Sequence, residues 1–183
     1  MLIASQKRRE NIAEYLLYMW QIEDIIRANG LDIDKIKENV IDRYPELDDN
    51  QRKEMTEWYE SLIDMMRREG VEQKGHLQIN KNIIIALVSL HQALLKDPKF
   101  ADYSAEFYRT LPYIVELRAK AGNEKSGEIE TCFNALYGML MMRLQQKEIS
   151  PETLNAIKQI SHFIAVLAHD FKLDEEDKLF KQE

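Results

Sequence analysis

An all-α fold, a compact bundle of about seven mostly antiparallel helices, is predicted by three features of this 183-residue chain. Apolar residues recur at helical spacing in one segment after another, and no stretch alternates with period two for long enough to make a strand. Only six glycines and four prolines occur, too few for a turn-rich β protein. Those present punctuate the chain: Gly30, Gly70 and Gly122 each follow a long periodic segment, where a left-handed residue closes a helix.

The first helix is predicted over about 6–29, which neither Pro nor Gly interrupts. Projected at about 100° per residue, Ile12, Tyr15, Leu16, Met19, Ile22 and Ile26 form one apolar face, and Glu23 falls inside it. Asp32 or Asp34 caps a short second helix with Ile33, Ile36 and Val40 inward. Tyr44-Pro45 ends it, because a residue before Pro avoids the helical region. Asp48 or Asp49 caps the third helix, whose inward set is Met55, Trp58, Tyr59, Leu62, Met65 and Met66, with charges opposite.

The fourth helix runs from about Leu77 to Lys96 and stops before Pro98. The fifth carries Tyr103, Phe107, Leu111, Ile114 and Val115. Pro112 inside it predicts a kink near Tyr108–Thr110, or a break with Thr110 as a new cap. The sixth spans about Glu124–Lys147, is apolar around much of its circumference, and is therefore expected to be central. Ser150-Pro151 is an N-cap followed by Pro at the first helical position. The seventh helix then turns Ile157, Ile160, Phe163, Ile164, Leu167 and Phe171 inward. A single domain over 1–172 is expected, with an acidic tail at 173–183 that frays or adds a loose turn.

The net charge of −7 and the pI near 5.3 lack the basic footprint of a nucleic-acid binder. The one basic run, Lys7-Arg8-Arg9, precedes no long apolar core and no cleavage-like site, so no targeting segment is read. Residues 83–88 are too few to span a membrane, and polar Ser89, His91 and Gln92 follow at once. Cys132, the only cysteine, allows no internal disulfide and no paired-Cys metal site, and its apolar surroundings suit a small buried hydrophobe. The cytoplasm is the expected location, with no membrane and no nucleic-acid partner.

Glu23 is the strongest candidate for special chemistry, because an unpaired buried carboxylate is costly. Arg143, which projects toward the apolar arc of the sixth helix, and Arg118 are its candidate ion-pair partners. His91 and Asn80 share a stripe of the fourth helix with Ile84, Leu87 and Leu94, and two polar groups on an apolar stripe either line a pocket or are satisfied locally. Glu23, Asn80, His91 and Tyr137 are thus the candidate ligand-binding set. His162 and His169, about 10 Å apart along one helix side, are too distant to share a metal unaided and are read as lying on a solvated or partner-facing side.

No His has Glu three residues before it, which argues against a ferritin-like metal centre. The His-Glu-x-x-His, P-loop, Gly-x-Gly-x-x-Gly and Gly-x-Ser-x-Gly patterns do not occur either. No catalytic residue, metal or cofactor is therefore assigned. The first helix has further apolar residues at Leu17, Tyr18 and Ile25, and the sixth has Met141 outside its main arc. Surface left over in this way predicts a protein partner, most simply a second copy in a homodimer. A non-enzymatic interaction or regulatory protein is the leading expectation, and a small-molecule-binding bundle the alternative.

The opening stretch from Met1-Leu2-Ile3-Ala4 through Gln6-Lys7-Arg8 to Asn11-Ile12-Ala13-Glu14-Tyr15-Leu16-Leu17-Tyr18-Met19-Trp20-Gln21-Ile22-Glu23-Asp24 resembles a family of uncharacterised all-helical proteins of anaerobic gut bacteria. Phe133-Asn134-Ala135-Leu136-Tyr137-Gly138 fits the same family. The resemblance extends over nearly the whole chain and implies an all-helical domain of unknown function. It implies no reaction, cofactor or catalytic residue.

Overall fold

Local capping chemistry sets most helix boundaries in the computed structural model, which describes residues 2–122 and 126–180. These residues form eight α-helices and no strand. The helices are α1 Leu2–Glu10, α2 Ile12–Ala28, α3 Ile33–Asn39, α4 Asp49–Arg68, α5 Gln78–Lys96, α6 Ala101–Lys120, α7 Glu128–Leu144 and α8 Pro151–Glu175. Two short 3-10 turns, Ile41–Arg43 and Pro98–Phe100, lie between them.

The extra helix arises at the start. The expected helix over 6–29 is divided at Asn11, whose Oδ1 accepts the Ala13 N–H at 2.9 Å and so caps α2. Asparagine is among the strongest N-caps and needs no Pro or Gly beside it to start a new helix. Elsewhere the expected caps form. Asp32 accepts from the N–H groups of Asp34 and Lys35. Asp48 and Gln51 make a reciprocal capping box. Ser150 accepts from Thr153 N–H, with Pro151 at the first helical position. Gly30 and Gly70 adopt φ of +67°, and the next residue donates back to close each helix: Leu31 N–H to Ile26 O, and Val71 N–H to Met66 O.

The chain folds as two compact units. One comprises Glu14–Asn82 with the opening helix up to Arg9; the other comprises the chain from Ile83 onward with Glu10–Ala13. In the first unit, Met19, Ile22 and Ile26 of α2, Ile36 of α3, and Tyr59, Leu62, Ile63 and Met66 of α4 make the core, with Leu77 beside them. Met55, Trp58 and Met65 are half-buried against that core, and so are Tyr18 and Ile25, which the sequence had left for a partner. Burying apolar area of this kind is the dominant favourable contribution to folding.

In the second unit α6, α7 and α8 pack on one another. Phe107, Ile114, Phe133, Ile160, Phe163 and Leu167 are buried there. Helix α6 runs unbroken through Pro112, and the Thr110 hydroxyl donates to Glu106 O at 2.8 Å instead of capping a new helix. Tyr108 and Pro112 lie on the exposed side, so the carbonyl that proline leaves without a helical donor is on the solvent face of the helix. Val115, expected inward, is 53% exposed. The predicted first residue of the sixth helix, Glu124, lies outside the described residues; α7 is helical from Glu128 behind Gly127. Helix α8 continues past 172 to Glu175. Beyond it Leu179 is buried and the Phe180 ring lies 5.4 Å from that of Phe100, so this part of the tail is docked. No helix among the described residues is long and apolar enough to cross a membrane.

Candidate functional site

Glu23 is fully buried on α2, and three donors converge on its carboxylate. Leu77 N–H donates to Oε1 at 2.9 Å, and Asn80 Nδ2 donates to the same oxygen at 2.7 Å. His76 Nδ1 stands 2.6 Å from Oε2. A carboxylate surrounded by donors acts as acceptor in every bond, so the His76 Nδ1–H donates to Oε2. The His76 ring stacks on buried Trp20, with centroids 4.1 Å apart and planes 13° apart. Trp20 and Glu23 are three residues apart on one helix, so they share a side and hold the imidazole by face and edge together.

The carboxylate sits at the start of α5, and its position there has a physical cause. Helix α5 has no acidic residue in its first turn and follows His76-Leu77, neither of which caps well. The free N–H groups of a helix start still need acceptors, and the helix dipole favours negative charge there. Glu23 meets the Leu77 N–H, and Glu69 Oε2 meets the Gln78 N–H at 2.6 Å. Arg27, one turn beyond Glu23, donates to the carbonyls of Val71 and Gly75 and pairs with Asp24, holding the loop that delivers His76.

The expected arginine partners of Glu23 are thereby corrected. Arg143 is exposed on α7. Arg118 donates from Nε to Thr131 Oγ1 at 3.3 Å and faces Glu128 Oε1 at 3.5 Å. The residue that holds Glu23 is His76, which sequence reasoning weighed only as a metal ligand. A usable signal was present: a helix whose first turn lacks a cap must find one elsewhere in the chain.

Of the candidate ligand-binding set, the structure brings Glu23 to Asn80. His91 lies in the second unit, buried, with Nδ1 2.6 Å from Tyr103 Oη and its ring edge-on to Phe107. Burial pushes the His91 imidazole below its ordinary value and the Tyr103 hydroxyl far above its own. Tyr103 therefore keeps its proton and His91 is neutral, and the two share one hydrogen bond across that 2.6 Å contact. Tyr137 is half-buried on α7. His162 and His169 are exposed, as expected, with His162 Nε2 3.7 Å from Glu106 Oε1. Burial pushes the Cys132 thiol up strongly, the behaviour of an inert buried cysteine.

A feature that the sequence reading missed lies on α6. Ala101, Ala105, Tyr108, Pro112, Val115 and Ala119 follow a 4-3-4-3-4 spacing, and all six are exposed. Tyr103, Phe107, Thr110 and Ile114 occupy the opposite, buried face. Helix α6 is thus apolar on both sides. Arg109 and Glu116 border the exposed stripe on one edge; Arg109 is paired with Glu106, and Glu116 with Lys120 at 2.6 Å.

No curated protein and no solved structure matches the chain. Over residues 1–178 it matches the family described as Domain of unknown function (DUF4924), and the chain therefore belongs to that family.

Proposed function

We propose that this protein is a non-enzymatic interaction protein that works as a homodimer, two copies meeting through the exposed face of α6. The observation that carries the reading is the continuous apolar stripe Ala101–Ala119 with a 3.5-residue period, the spacing of a coiled-coil seam. A second copy is favoured over a foreign partner because the stripe is self-complementary. In an antiparallel twofold pairing centred between Pro112 and Val115, Tyr108 packs over the partner's Ala119 and Pro112 over the partner's Val115. The same register sets Arg109 opposite the partner's Glu116, and the twofold axis repeats that pair. The Glu116–Lys120 pair is exposed, so exchanging it costs little, whereas Arg109 leaves a buried Glu106 that keeps Gln159 Nε2 as a donor at 2.6 Å. The commitment of Glu23 to three donors of its own chain adds support, since it reads as a structural carboxylate.

The setting that goes with this reading is the bacterial cytoplasm. In support, the opening stretch resembles proteins of anaerobic gut bacteria, and the single thiol is buried and inert. A small-molecule role is a second reading, favoured by a cleft in the second unit.

Native mass spectrometry and light scattering test the dimer. The unmodified protein is expected to be dimeric, Val115→Glu monomeric with unchanged helical content, and Glu116→Arg weakened because it faces Arg109. The double variant Arg109→Glu with Glu116→Arg is expected to restore the dimer. A monomeric starting protein, or a dimer indifferent to Val115→Glu, overturns the proposal.

A further inference from the structure

We infer that a cleft enclosed by α6, α7 and α8 binds a small amphiphilic anion, an alkyl carboxylate. The cleft measures about 340 Å³ and lies within the second unit. That is near the lower end of the range of about 300–1,000 Å³ typical of ligand pockets, enough for one short chain and little more. Its apolar wall is made by Leu117, Met139, Met142 and Ile157. Methionine side chains adapt to a flexible chain better than branched ones do. Gly138 opens the α7 side: a Cβ built there meets nothing within 4 Å. A glycine inside a helix is costly relative to alanine, and here the missing side chain leaves room in the cleft.

Charge decides the head group. Arg118 and Lys120 line the cleft, and no Asp or Glu does so among the described residues. Lys120 is held by Glu116 at 2.6 Å, so in a chain of net charge −7, whose overall field disfavours anions, the guanidinium of Arg118 is the group that would hold one. Arg118 has donors to spare. Its Nε serves Thr131 and its Nη2 is closed off beside Glu128 at 3.5 Å, which leaves Nη1 of this cleft-lining guanidinium without a hydrogen-bond partner among the described residues. A guanidinium matches a carboxylate in shape, and its charge-assisted hydrogen bonds are about twice as strong as neutral ones. Thr131 itself donates to Gly127 O at 2.8 Å, which fixes the oxygen that orients Arg118.

The test titrates the full-length protein with straight-chain carboxylates from butanoate to decanoate and with the alcohols of the same lengths. The readout is the ¹³C-labelled methyl resonances of the methionines, with Met139 and Met142 assigned by single Leu replacements. Saturable shifts confined to those two methyls are expected, with an optimum chain length and the carboxylate binding at least about tenfold tighter than its alcohol. Arg118→Gln should remove that preference, whereas Gly138→Phe should abolish binding of both series with helical content retained. An alcohol that binds as well as its carboxylate overturns the anionic assignment on the unmodified protein alone. Absence of saturable shifts at Met139 and Met142 overturns the site.

Discussion

His76 Nδ1 and Glu23 Oε2 stand 2.6 Å apart although 53 residues separate them in sequence. The pair joins α2 to the start of α5, and the other carboxylate oxygen completes the junction by accepting from Leu77 N–H and Asn80. A single buried side chain thus caps one helix, orients one imidazole and accepts from the Asn80 amide nitrogen, while Asn80 Oδ1 has no hydrogen-bond partner among the described residues. Leaving such a group without partners would cost more than making the contacts gains, so the four residues stand or fall together.

Glu23→Gln is expected to destabilise the protein by about 1.5–3 kcal/mol, the range for a hydrogen bond to a charged group. The amide nitrogen of Gln would bring a donor against a site that already presents three. Urea unfolding reads the change as a lower midpoint at unchanged slope. An unaltered midpoint would mean that Glu23 is not what holds the start of α5.

His76→Ala removes the ring stacked on Trp20 and one donor to Glu23. Tryptophan emission should shift to the red as water reaches the Trp20 face, with far-UV circular dichroism unchanged. Trp58 is the control, since it lies beside Tyr59, and Trp58→Phe should leave the shift intact. A spectrum that His76→Ala leaves untouched would contradict the stacked arrangement.

Acid should weaken the second unit through His91. Burial holds its imidazole below the ordinary value of 6.5, with Glu128 opposing the shift and Tyr103 occupying Nδ1. The unfolded chain therefore binds a proton at His91 before the folded protein does. Its contribution is complete above pH 6.5 and is lost as the pH falls from there toward the depressed folded value. The melting temperature should drop more steeply between about pH 7 and 5 for the unmodified protein than for His91→Gln. Parallel profiles would place the acid sensitivity elsewhere.

Two glycines should respond to alanine in opposite directions. Gly70 sits at φ of +67°, so alanine there should cost about 1–2 kcal/mol although nothing obstructs its Cβ. Gly138 lies inside α7 with equally open surroundings, and alanine there should stabilise by about 1 kcal/mol. Thermal melts of the two variants side by side check the signs. Destabilisation by Gly138→Ala would show that the α7 backbone needs the freedom of glycine.

The sequence by itself determined whatever rests on neighbours along the chain. The caps at Asp32, Asp48 and Ser150, the glycine stops at Gly30 and Gly70, and the inward face of α8 all depend on groups a few residues apart, so spacing reveals them. Asn11 was equally local, and its capping power was hidden only by the unbroken periodicity around it. Glu23 and Asn80 were legible as polar residues on apolar stripes. Their shared bond was not, because helical phase places a side chain about its own axis and leaves the neighbour open. Tertiary structure alone chose His76 over Arg118 and Arg143, gave His91 to Tyr103, and turned Val115 outward. Each of those outcomes depends on how one helix is rotated and shifted against another, and many weak contacts summed over the whole core set that placement.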